Sequence, residues 1–175
     1  MGISSAGGCF AEYVVVKRWQ TTLQGGIPDA EASTYGTAYI SGALRAMVMA
    51  HFSSRSGQTI FIPGGAGGVG HFVVQLAKVH RLRVIASASK PAGLDLLRKL
   101  GADVVLDYSK QDVVAEVLAA TGGKGADLVY DTVCALSSFQ QSAAVVRSGG
   151  QWMFLGQLSQ SSNTPKQHVT HSLLL

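Results

Sequence analysis

Between about residue 57 and residue 156, short apolar runs alternate with segments whose apolar positions recur at helical spacing. The runs at 59–63, 83–86, 103–106, 128–130 and 151–155 are rich in Val, Ile and Leu and predict strands. The segments at 69–79, 92–100, 112–120 and 137–146 read as helices; in the first, Val69, Phe72, Val73, Leu76 and Ala77 share one face. Strands that alternate with helices of about ten residues imply parallel βαβ units, because a parallel connection needs a long crossover. The expected fold class is α/β: a Rossmann-type, doubly wound parallel sheet of about five strands, in the order 3-2-1-4-5. Gly101 and the pair Gly149-Gly150 stand where helices should stop.

Outside this stretch the pattern thins. Residues 10–16 read as a strand, 27–32 as a turn into a helix, and 38–52 as a helix with Leu44, Met47 and Val48 as its stripe. One strand and one or two helices are too few for an independent core. After Gly156 the chain turns to Gln, Ser, Thr, His and Asn, so 157–175 predicts a polar tail without fixed structure. His168 and His171 lie there without Cys or acidic neighbours, which favours a solvated tail over a metal pair.

Directly behind the run Thr59-Ile60-Phe61-Ile62 comes Pro63-Gly64-Gly65-Ala66-Gly67-Gly68-Val69-Gly70. Gly65, Gly67 and Gly70 fit the G-x-G-x-x-G spacing, set between a strand and a helix as a dinucleotide fingerprint requires. A pyrophosphate must approach backbone N–H groups closely, and side chains at Gly65 or Gly67 would stand in the way. Gly70 would let the helix pack tightly, and the helix N-terminus would supply donors and partial positive charge.

The next strand ends in Ser87-Ala88-Ser89-Lys90. An NAD-binding protein usually places an acid about twenty residues after the glycines, on the ribose 2′-hydroxyl. The first acid here is Asp95, inside the next predicted helix. Ser87 and Ser89 can donate to a 2′-phosphate and Lys90 adds charge, so NADP(H) is expected. An ordinary solvated loop is the alternative.

Composition narrows the class. With 47% hydrophobic and 14% charged residues, the 175-residue chain can bury a core. The net charge of +4 is dispersed and lacks an aromatic-interleaved basic stripe, so nucleic acid is not the expected partner. Cys9 and Cys134 are far apart, and no apolar run is long enough to span a bilayer. A cytoplasmic protein is the expectation.

From Phe10 to Gly156 the chain resembles the medium-chain dehydrogenase/reductase superfamily, in its zinc-free quinone oxidoreductase branch. The matching blocks are Phe10-Ala11-Glu12-Tyr13-Val14-Val15, Gly57-Gln58-Thr59, the glycine-rich turn, Gln75-Leu76-Ala77-Lys78, Leu100-Gly101-Ala102-Asp103, Asp107-Tyr108 and Tyr130-Asp131-Thr132-Val133. The resemblance implies NADPH reducing a quinone or an α,β-unsaturated carbonyl, with no zinc. It places the pyrophosphate on Gly67-Gly68-Val69, within the expected cofactor-binding stretch Gly65, Ala66, Gly67, Gly68, Val69 and Gly70. Lys90 and Tyr108 match the 2′-phosphate residues, and Thr132, Val133, Leu155 and Gly156 match strand ends along the cofactor. Ser41 could take the place of a Thr that faces the cofactor in many relatives. His51 and His71 lack an evident carboxylate partner and are read as structural, so no catalytic side chain is assigned.

The same resemblance makes 1–56 a remnant of a substrate-binding domain with a connecting helix, and 57–156 the NADP(H)-binding domain. Relatives run past 300 residues, and the sixth Rossmann strand looks to be missing here. The expected form is thus a truncated one, slow on quinones, with a homo-oligomer expected at full length. A non-catalytic nucleotide-binding module and an enoyl-reductase-type domain stay open as alternatives.

Overall fold

The computed structural model describes residues 25–44, 56–133, 135–156 and 169–174. The strand expected at 10–16, the helix beyond Leu44, and Cys9, His51, Cys134 and His168 lie outside the described residues. Helix α1, Asp29–Thr34, follows the predicted turn at Pro28 and continues as a π-helical segment, Tyr35–Leu44. Five strands and four helices then alternate: β1 Thr59–Ile62, α2 Gly70–Val79, β2 Arg83–Ala88, α3 Pro91–Lys99, β3 Val104–Asp107, α4 Val113–Ala120, β4 Ala126–Asp131, α5 Leu136–Val145 and β5 Val146–Gly156. A last strand, β6, spans Val169–Leu174.

The sheet order is β3-β2-β1-β4-β5-β6. The first five strands are parallel, in the expected order. They are almost continuously apolar because both faces are covered. On one face Ile60, Ile62, Val84, Ala86, Leu128 and Tyr130 pack with Val73, Val74, Ala77 and Leu97 of α2 and α3. On the other, Phe61, Ile85, Val129 and Trp152 meet Val113 and Val117 of α4 and Val145 of α5. Burial pushes the Tyr130 phenol well above its ordinary pKa, so it stays neutral in this core.

Two expectations are corrected. The tail is not without structure throughout: β6 pairs antiparallel with β5, Gln151 facing Leu174 and Gly156 facing Val169. Main-chain pairing on an open edge requires no apolar side chains, which is why the composition gave no sign of it. Gly149-Gly150 also do not end a helix. Helix α5 stops at Val145, and both glycines lie inside β5, where the register shifts between Ala126 and Leu128 of the neighbouring strand. Gly149 has φ +69°, and a Cβ on Gly150 would lie 2.8 Å from the Arg147 carbonyl oxygen. Asp127 holds this bulge, accepting from Arg147 Nε and from the Thr59 backbone N–H, both at 2.7 Å.

Gly101 does end a helix. With φ +84° it closes α3 through Gly101 N–H to Arg98 O (3.0 Å) and Ala102 N–H to Leu97 O (3.1 Å), a Schellman motif. Helix α2 closes the same way, with Arg81 N–H to Lys78 O and Leu82 N–H to Ala77 O, but here the left-handed residue is Arg81, at φ +57°. A side chain in that region costs roughly 1–2 kcal/mol, and glycine relieves it. Arg81→Gly is therefore expected to stabilise the fold by about 1 kcal/mol, after the entropy that glycine gains in the unfolded chain is deducted. Urea unfolding monitored by circular dichroism checks this; a fall in the midpoint would contradict it.

Candidate cofactor-binding groove

Strand β1 delivers the chain to the glycine-rich turn, and each glycine there has its own reason. Gly64 adopts φ +65°, and a Cβ on it would lie 2.6 Å from Val133 Cγ2. Gly65 is buried; its Cβ would meet Ala86 Cβ at 3.0 Å and Leu97 Cδ2 at 3.1 Å. Gly65 is thus required by packing against β2 and α3, which corrects the expectation that it clears a path for phosphate. Gly70 has no room at all: a Cβ would sit 2.6 Å from Gly64 O and 2.8 Å from Gly65 Cα. Helix α2 can start against the turn only because that atom is missing. Gly67 is nearly as tight, at 3.1 Å from Gly64 O, whereas Gly68 is exposed with nothing within 4 Å.

The turn is anchored from β2. Gly65 N–H donates to Ser87 O at 3.0 Å, and Gly64 N–H reaches Ser87 Oγ at 3.4 Å. Ser87 is only 2% exposed, so it supports the turn from beneath and does not line the groove. That corrects its assignment as a 2′-phosphate donor. The pleat explains it: Ser87 points into the sheet's packing, and the chain leaves the strand only after Ala88.

Above the turn lies an open groove of about 710 Å³, at the carboxyl ends of the parallel strands. Its floor is Gly64, Ala66, Gly67, Gly68 and Val69. Ala88, Ser89, Lys90 and Tyr108 form one end, and Thr132 and Val133 after β4 form the other. The groove therefore crosses the point where the strand order reverses, between β1 and β4, which is where open α/β sheets hold ligands. Leu155 and Gly156 end β5 and do not line it; they pair with Thr170 and Val169. Ser41 lies in the π-helical segment.

At the Lys90 end the chemistry is donor-rich. Ser89 Oγ donates to Tyr108 Oη at 2.9 Å, and Tyr108 is half-exposed. Lys90 is the N-cap residue of α3, with Pro91 fixing the first helical position. Among the described residues, none that lines the groove is acidic. The nearby acids are committed elsewhere: Asp95 to Arg98 at 2.7 Å, and Asp107 to its own turn. The Ser109 hydroxyl holds the Asp107 carboxyl below the usual carboxylate range despite some burial, helped by the Ser109 N–H and Lys110.

Five lining residues were not assigned to the site from the sequence: Gly64 in the turn, Ala88 at the end of β2, and Ala92, Gly93 and Leu96 on α3. Gly93 matters most. A Cβ on it would lie 3.1 Å from Ala66 Cβ and 3.3 Å from Ala88 Cβ, so its absence lets α3 close on the glycine-rich turn. The available signal was a glycine inside a helical run, which costs about 1 kcal/mol and calls for a packing reason. His71, read as structural, has its Nδ1 2.8 Å from Gly67 O, which also accepts the His71 backbone N–H at 3.1 Å. Its ring stacks on Phe72 at 4.0 Å and does not line the groove. Among the described residues, no three His, Cys, Asp or Glu side chains gather as a metal site, and no helix is long and apolar enough to cross a membrane.

Fold and groove together define a nucleotide-binding domain of the Rossmann type. Residues 68–173 match the family model described as zinc-binding dehydrogenase. The chain is 37% identical over 150 residues to a 2-methylene-furan-3-one reductase of Solanum lycopersicum, which covers 85% of this chain and 36% of the relative. Among solved structures it resembles a quinone oxidoreductase of Pseudomonas syringae pv. tomato (TM-score 0.64, 27% identity, 74% of this chain and 39% of that one). It also resembles a mycobacterial protein complexed with NADPH (TM-score 0.63, 31% identity, 74% and 40%). The chain belongs to the zinc-binding dehydrogenase family, within the medium-chain dehydrogenase/reductase superfamily. It spans 36% to 40% of the length of these relatives.

Proposed function

We propose that this chain is the NADP(H)-binding part of an oxidoreductase that passes hydride from NADPH to a quinone or an α,β-unsaturated carbonyl, without zinc. The observation that carries the reading is the groove's Lys90 end: an ammonium and two hydroxyls, with no carboxylate to repel a 2′-phosphate. Enone and quinone reductases among the relatives support the acceptor class. The residues present fit the group. Gly68 and the first turn of α2 would take the pyrophosphate, Ser89, Lys90 and Tyr108 the 2′-phosphate, and Thr132 and Val133 the nicotinamide side.

When bound, the nicotinamide supplies the hydride. The protein's part is to hold the cofactor extended along the strand ends and to keep water from its reactive face. Residues 1–56, as part of a substrate-binding domain, would form one wall of the acceptor cleft. A cytoplasmic setting and a homo-oligomeric full-length form belong to the same proposal. A related enoyl reductase is the second reading, favoured by the likeness to a trans-enoyl reductase of Aspergillus terreus, 41% identical over 102 residues.

Calorimetric titration tests the cofactor assignment. NADPH should bind more tightly than NADH, and Lys90→Ala should weaken NADPH by roughly 1.5–3 kcal/mol, the worth of a charge-assisted hydrogen bond, while NADH hardly changes. Equal affinity of the unmodified chain for both cofactors would sink the assignment.

A further inference from the structure

Asp131 ends β4 and is fully buried, yet it faces none of the groove. Its carboxylate is enclosed by donors. Oδ1 accepts the Val133 backbone N–H at 2.9 Å and lies 3.2 Å from Ser138 Oγ, and Oδ2 accepts from Ser142 Oγ at 3.1 Å. Ser138 shares its single proton with Ala135 O at 2.9 Å, and its oxygen accepts the Ala135 N–H at 3.3 Å. A carboxylate is an acceptor on both oxygens, so this site suits Asp better than any uncharged residue of its size. Burying one is costly unless it is bonded in this way.

The consequence lies two residues further on. The Asp131–Val133 bond folds the chain back as it leaves the sheet, which sets the place of Thr132 and Val133. These two then meet the phosphate turn. Thr132 Oγ1 donates to Pro63 O at 3.1 Å, and the space beside Gly64 is closed by Val133 Cγ2. Ser138 and Ser142 hold the same carboxylate to α5, so the groove's β4 end is fixed to a helix behind the sheet.

We infer that Asp131 is a positioning residue for the nicotinamide half of the cofactor: it sets the Thr132-Val133 wall without touching the ligand. This rests on the NADP(H) reading above. Its distinguishing mark is that the two ends of the groove are built by different elements. The end at Ser89, Lys90 and Tyr108 comes from β2, β3 and α3, none of which Asp131 bonds. Losing the carboxylate should therefore loosen one half of the dinucleotide site and spare the other. General destabilisation would affect both halves alike.

The test compares NADPH with adenosine 2′,5′-bisphosphate, which carries only the adenosine and 2′-phosphate end, on the full chain by titration calorimetry. For Asp131→Ala, NADPH affinity should fall about tenfold or more, as for a lost hydrogen bond to a charged group, with the bisphosphate changed less than about twofold. Asp131→Asn keeps one carbonyl oxygen for the Val133 N–H and should recover most of the loss. If Asp131→Ala does not refold, the Ser138→Ala/Ser142→Ala double variant frees the carboxylate and should shift the same ratio in the same direction. Equal losses for both ligands, or no loss for either, would overturn the inference. Failure of the unmodified chain to bind either ligand would instead overturn the cofactor reading beneath it.

Discussion

Gly68→Val is expected to abolish NADPH binding while leaving the melting temperature of the free protein almost unchanged. A Cβ at Gly68 meets nothing within 4 Å, and its φ is not in the left-handed region, so the fold has no objection to a side chain there. The groove does. Gly68 lies on its floor, over the start of α2, where a pyrophosphate must come within hydrogen-bond distance of main-chain N–H groups. Two branched methyl groups at that spot hold a phosphate roughly 2 Å or more too far away, which forfeits both the hydrogen bonds and the helix-terminus attraction. The loss should exceed about 3 kcal/mol, more than a hundredfold in affinity. Thermal melting with and without NADPH reads both halves: a normal midpoint, and no upward shift with ligand. A variant that still gains stability from NADPH would show that the phosphate does not bind here.

Gly70→Ala should do the opposite and damage the fold itself. The added methyl would sit 2.6 Å from the Gly64 carbonyl oxygen and 2.8 Å from Gly65 Cα. Both are main-chain atoms that no rotamer change can move. Relief requires α2 to lift off the turn, and α2 carries Val73, Val74 and Ala77 into the larger core. Overpacking of this kind costs about 2–3 kcal/mol. For a domain of roughly 100 residues that is a fall in melting temperature of about 10–20 °C. A midpoint within a few degrees of the unmodified chain would mean that the turn is looser than its contacts suggest. The contrast between Gly68 and Gly70, two residues apart in one motif, separates the ligand's demand from the fold's.

One ion pair adds a pH dependence to the same domain. Burial works against the Asp103 carboxylate, but Lys78 Nζ and the Val84 backbone N–H, each 2.7 Å from Oδ2, outweigh it and lower its pKa. With the folded value depressed, the stabilisation is present at neutral pH and is lost as pH falls from about 4 through the folded pKa.

The sequence by itself determined the order of elements, the parallel sheet and the location of the glycine-rich turn. These follow from local signals: apolar runs bounded by breakers, helical periodicity, and glycines where a side chain cannot fit. It also marked Ser89 and Lys90, because a missing acid and an added cation are visible without coordinates, whereas Tyr108 was marked only by the family resemblance. Only the tertiary structure decided which glycine serves which master. Gly65 and Gly70 answer to neighbours from β2, α3 and the turn itself, while Gly68 alone faces open space. It likewise turned Ser87 inward, added β6 at the sheet edge, and showed that Gly93 lets α3 close on Ala66. The physical reason is common to all of these. Periodicity records which way a residue points along its own element, but whether space, backbone or another strand lies in that direction is set by segments distant in the chain.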